Sequence, residues 1–169
     1  LVNRATAANG TAATERIDWA SATDTQNLLP TFPAARRKSV EFAIGGSAAI
    51  NLFGFVVGTA DFSFQSSTVD VDQNANGVFS LAEKDLEDAT LLTVGLNRLN
   101  VFVGVGASLS PSDTLVTTGA IGFTVTSGQI GIAIIKANPK SIAGDNRTFI
   151  ATTASLGGAS FGGLPADIT

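Results

Sequence analysis

The chain has 169 residues, 44% hydrophobic and only 14% charged, with a net charge of −4 and a pI near 4.6. Cys, His, Met and Tyr are all absent, which excludes Ser-His-Asp and Cys-based catalysis, zinc fingers, haem ligation and iron–sulfur clusters. The acidic balance also lacks the basic footprint that a nucleic-acid binder needs to displace counterions from phosphate.

Residues 1–15 read as a strand stub and polar loop, Arg16-Ile17-Asp18-Trp19 as a short strand, and Ser21 to Lys38 as a long loop around Pro30 and Pro33. The basic run Arg36-Arg37-Lys38 is either an anion grip or a solvated flank of the apolar strand that follows. Val40-Glu41-Phe42-Ala43-Ile44 alternates, and Ala48 to Val57 is almost continuously apolar, a pattern of strands covered on two sides. The longest apolar stretch, 47–60, is shorter than the ~18 residues of a spanning helix. With no Tyr and a single Trp, Trp19, the aromatic girdles of a membrane barrel are missing too. No membrane insertion is expected.

A strand–turn–strand layout recurs around Gly45-Gly46, Asn97-Arg98, Ser127-Gly128 and Gly157-Gly158, with later copies about 30 residues apart. This predicts an all-β chain of stacked repeats, β-solenoid-like, with an antiparallel β-sandwich as the alternative. The whole of 1–169 reads as one domain or repeat unit, with a polar insertion at 66–88 and one short helix after residue 82. The chain carries no signal peptide and begins at Leu1, so it reads as a processed subunit or a unit of something longer.

The insertion holds the one chemical motif. Asp72, Asn74 and Asn76 fall at positions 1, 3 and 5 of a twelve-residue calcium loop, Gly77 at 6, Val78 at 7 with its carbonyl, Ser80 at 9 and Glu83 at 12. Phe79 fills the apolar position 8. Calcium is a hard cation that wants about seven oxygens from a tightly curled segment, and this spacing supplies them. The segment resembles an EF-hand-type loop without its first helix, because Val69-Asp70-Val71 is strand-like. Only two of the four side chains at positions 1, 3, 5 and 12 are charged, which predicts affinity on the order of 10⁻⁴ to 10⁻³ M. The same Asn-Ala-Asn-Gly run also suits a plain polar turn. Asp85, Glu87 and Asp88 read as a solvated helix face rather than a catalytic carboxylate pair. Asn9-Gly10-Thr11 and Asn146-Arg147-Thr148 fit the glycosylation sequon.

Ala48-Ala49-Ile50-Asn51-Leu52-Phe53-Gly54-Phe55-Val56-Val57-Gly58, Leu99-Asn100-Val101-Phe102-Val103-Gly104-Val105-Gly106 and Gly119-Ala120-Ile121-Gly122-Phe123 resemble tandem repeat units of giant secreted bacterial surface proteins, adhesin-like or matrix-like. The Gly-Gly-x-Gly-x-Asp nonapeptide of toxin-like β-rolls is absent. The resemblance implies an extracellular or cell-surface structural role, without enzymatic activity, in a filament or array stabilised by calcium. Its partners would be further copies of itself or neighbouring repeats. The alternative is an adhesin or carbohydrate-binding module that meets glycans, for which Trp19 is the strongest aromatic candidate.

Overall fold

A computed structural model describes residues 2–11, 15–29 and 37–164. Pro30, Pro33 and Arg36 lie outside the described residues, as does the C-terminal stretch from Pro165. The strands are β1 (Val40–Leu52), β2 (Val56–Val71), β3 (Leu86–Val105), β4 (Ser108–Leu109), β5 (Leu115–Val116), β6 (Ile121–Lys136), β7 (Thr148–Ser155) and β8 (Gly158–Gly162). Six of them form one antiparallel sheet in the order β1-β2-β3-β6-β7, with β8 also paired to β6, and β4 and β5 make a separate two-stranded sheet. The chain is therefore all-β. Sheet neighbours follow chain order as in a meander, and no solenoid coil closes among the described residues. The stacked-repeat expectation gives way to the antiparallel alternative.

The recurring two-residue signals are not hairpins. Gly45-Gly46, Asn97-Arg98 and Ser127-Gly128 sit inside β1, β3 and β6, and Gly157 marks the break between β7 and β8. Arg98 and Ser127 take φ of 49° and 53°, the left-handed conformation that both a primed turn and a β-bulge demand. None of the glycines in these four pairs takes a positive φ, so the expected primed turns fail at the glycines themselves. The actual reversal from β1 to β2 is Phe53-Gly54, at φ 54° and 73°, with the Phe55 N–H donating to Leu52 O at 3.0 Å and the Gly54 N–H to Asn51 Oδ1 at 2.8 Å. That turn lay hidden in an apolar run.

The helix expected after residue 82 is also absent. Leu81–Glu83 form a single 3-10 turn, Lys84 takes φ 66°, and β3 begins at Leu86. Burial of Leu86 and Ala89 in a sheet core outweighs the helix propensity of Ala82 to Glu87.

Two compact units emerge from the packing, Leu1–Ile44 with Phe64–Thr93 and Ala133–Ala151, and Gly45–Ser63 with Val94–Ile132 and Thr152–Thr169. In the first, Leu86, Ala89 and Ala137 are buried under Val69, Val71, Ile135 and Phe149. In the second, Val57, Phe102, Ala107 and Ala120 are buried with Leu109 and Leu115 of the β4–β5 hairpin against them. There Phe102 lies on a pair of glycines: a Cβ on Gly104 would stand 2.2 Å from Ile121 O, and one on Gly122 2.3 Å from Val103 O. Both would meet the Phe102 ring at 2.7 Å. Only glycine lets β3 and β6 approach this closely.

Both cores are small. The expectation that apolar strands are covered on two sides fails at β1, where Ile44, Ile50 and Leu52 are exposed.

Candidate calcium loop

The loop runs from the end of β2 to the start of β3, within the first unit. The strand before it ends at Val71, which agrees with the absence of an entering helix. Its curl is made by side-chain oxygens accepting backbone N–H groups. Asp72 Oδ2 accepts from Gly77 at 2.7 Å, Asn74 Oδ1 from Asn76 at 3.0 Å, and Asn76 Oδ1 from Val78 at 2.7 Å. Gly77 takes φ 82°, where a side chain would be strained. The three polar side chains thus fold back on the loop's own backbone.

Glu83 closes the ring. Its Oε2 accepts from Asn74 Nδ2 and Asn76 Nδ2, both at 3.0 Å, so positions 3, 5 and 12 converge on one point. Asp72 Oδ1 is buried and has no hydrogen-bond partner. A lone carboxylate oxygen withdrawn from water costs free energy unless something positive meets it. Val78 is exposed, and the Ser80 carbonyl accepts the N–H groups of Glu83 and Asp85 at 3.0 and 3.3 Å. Phe79 is exposed rather than packed at position 8.

The residues fit calcium in donor type. The loop offers two carboxylates, two amide oxygens, a carbonyl and a hydroxyl, all hard oxygen donors. Asn74 and Asn76 present amide N–H groups to Glu83, so coordination would require their oxygens to turn toward the centre. Two carboxylates are few, and among the described residues no group of three or more His, Cys, Asp or Glu gathers into a metal-holding cluster.

Asp85 anchors the loop, and sequence reading missed it. Assigned to a solvated helix face, it is instead completely buried. Its Oδ1 accepts the Gln73 N–H at 2.8 Å and its Oδ2 the Ser80 N–H at 2.7 Å, tying both ends of the loop to one carboxylate. Arg147 adds a clamp from the segment between β6 and β7. Its Nη1 donates to Gln73 Oε1 at 2.5 Å and its Nη2 to Lys84 O at 2.7 Å. The same guanidinium grips Asp145 through Nε and Nη2. Hydrogen bonds from the Arg147 side chain and N–H hold the Asp145 carboxyl below its ordinary range. A buried acid two residues past a loop leaves no periodic signature; the only sequence signal was an Asp next to buried Leu86.

Lys38 lines a cavity of about 270 Å³ with Glu15, Arg16, Thr68, Asp70 and Asp88, a mixed-sign wall rather than an anion grip. Trp19 is half-buried and its Nε1 donates to Asn3 Oδ1 at 3.0 Å, so it is no exposed aromatic shelf. Asn9 and Asn146 are exposed. No family model, no curated protein and no solved structure matches the chain.

Proposed function

We propose that the chain is a non-enzymatic structural module of an extracellular or cell-surface protein, self-associating or tandemly repeated, and stabilised by calcium at Asp72, Asn74, Asn76, Val78, Ser80 and Glu83. One observation carries this reading: large apolar side chains stay at the surface while the cores stay small. Phe53 is 95% exposed, Ile150 68%, Leu156 62% and Phe55 60%, whereas Phe102 is the largest hydrophobic side chain fully buried among the described residues. Exposed apolar area on this scale marks a surface meant for another surface. Association would complete cores that one copy leaves open. This also suits a sandwich in which a second sheet covers the first, the finer form of the antiparallel reading.

Calcium would contribute stiffness at the one long polar connection. The unpartnered Asp72 Oδ1 and the convergence on Glu83 support that assignment. The absence of Cys and Met suits an oxidising, extracellular setting. The glycan-binding alternative has less support, since Trp19 is engaged with Asn3. Sedimentation velocity over a wide concentration range, with calcium and with chelator, tests the proposal. Concentration-dependent association, enhanced by calcium, is the expected result; a monomer under every condition rejects it.

A further inference from the structure

β1 and the β7–β8 line are the two margins of the six-stranded sheet. β1 pairs only with β2 on its inner side, and the β7–β8 line pairs only with β6. Every strand margin exposes alternate N–H and C=O groups that can template another strand, and proteins ordinarily guard such margins with charge, Pro or a cover. At its N-terminal half β1 is guarded: Glu41 stands there, Val2 bridges Phe42, and the Asn3 N–H donates to Glu41 O at 2.9 Å. Beyond it, the guards stop. From Ala43 to Ala60 there is no charged residue and no Pro, and the same holds from Thr148 to Leu164. The Gly45–Leu52 stretch is exposed along its whole length, and so is nearly all of β7 and β8.

The hydrogen-bond parity of β1 follows from Glu41. The Glu41 C=O turns outward to accept the Asn3 N–H at 2.9 Å, and in a regular strand the residues in step with it, Ser47, Ala49 and Asn51, turn their backbone groups outward as well. Two margins, both without charged residues and both unguarded, therefore occur on one chain in opposite positions of one sheet.

We propose that the β1 margin over Gly45–Leu52 pairs with the β7–β8 margin of a second copy, extending the sheet from chain to chain. This rests on the self-associating reading above and names its surfaces. Charge selects the occupant: a partner strand carrying charges would lose their hydration against the neutral Gly45–Leu52 margin and gain no ion pair, whereas the chain's own far margin is equally free of charge. Because the two margins differ, the contact is head-to-tail and leaves a free margin at each end, the geometry of an open filament or a ring.

Edge-blocked variants decide it. Ala49→Lys and Ala154→Lys each place a charge on one exposed margin, and circular dichroism with urea titration of dilute samples verifies that both remain folded. Each variant alone should be monomeric where the unmodified chain associates. Mixed one to one, they should form dimers and nothing larger, since only one matching pair of margins survives. If both variants assemble like the unmodified chain, the edge pairing is wrong while self-association stands. If Ala154→Lys alone still dimerises, a symmetric β1–β1 contact replaces the head-to-tail one. An unmodified chain that stays monomeric overturns both the pairing and the reading beneath it.

Discussion

The Asp85 carboxylate holds the Ser80 N–H at 2.7 Å from a position with no solvent contact. With its other oxygen on Gln73, it fixes the loop at two points whether or not a cation is present. Hydrogen bonds to charged groups contribute about 1.5–3 kcal/mol each, and stranding the partners costs as much again as a lost bond. Asp85→Ala should lower unfolding free energy by about 3 kcal/mol in a urea titration. A loss under about 1 kcal/mol would mean that the anchor is not structural.

Calcium should raise the melting temperature modestly and saturably. At tenfold excess over the dissociation constant the gain is about 1.4 kcal/mol. Glu83→Gln and Asp72→Asn retain side-chain size and much of the hydrogen bonding while removing the two charges; both should abolish the gain. Calorimetry with calcium, magnesium and chelator reads the effect, and an unchanged calcium shift in both variants would reject the site.

Gly104→Ala and Gly122→Ala each force a Cβ against a backbone oxygen at 2.2–2.3 Å and against Phe102. Overpacking of this kind costs about 1–3 kcal/mol. Phe102→Ala, which empties the same core, should cost about 3–5 kcal/mol. Because all three act on one contact, the Gly104→Ala and Phe102→Ala losses should fall short of additive in a double mutant.

Acid should weaken the fold in a defined window. Asp145 is depressed by hydrogen bonds from Arg147, Asp61 by those from Ser47 and Arg98, and Asp24 by the N–H groups of Leu29, Leu28 and Gln26. A carboxyl with a lower value in the folded state contributes stability that is complete above its unfolded value, about 3.9, and disappears as pH falls through the folded one. Stability should therefore be insensitive to these groups near neutrality and decline below about pH 4. Arg147→Met should flatten that decline, which urea midpoints measured across the acid range would reveal.

What the sequence discloses and what it hides divide along physical lines. Strand composition is local, and the all-β class and the strand before Asp72 could be read directly. Whether Ser127-Gly128 reverses the chain or kinks a strand depends on which residues lie across the sheet, and that is not local. Phe53-Gly54 shows the opposite failure, a true reversal with a bulky aromatic at the left-handed position. Asp85 was misread because its neighbours have good helix propensity, while burial of Leu86 and Ala89 settles the conformation. The expectation of strands covered on two sides treated low charge as burial, and the exposed Phe53 and Phe55 show that it can equally be surface.

The bond between Trp19 and Asn3 has an experimental consequence. Asn3 is buried, and besides accepting from Trp19 it donates to Ile17 O at 3.0 Å, joining the N-terminal segment to β1. As the chain's sole indole, Trp19 makes its fluorescence a local reporter of the N-terminal segment. Detachment of the segment that bridges to β1 at Phe42 can thus be timed separately from melting of the strands, which contain no fluorophore to confuse the signal beyond the weak emission of phenylalanine.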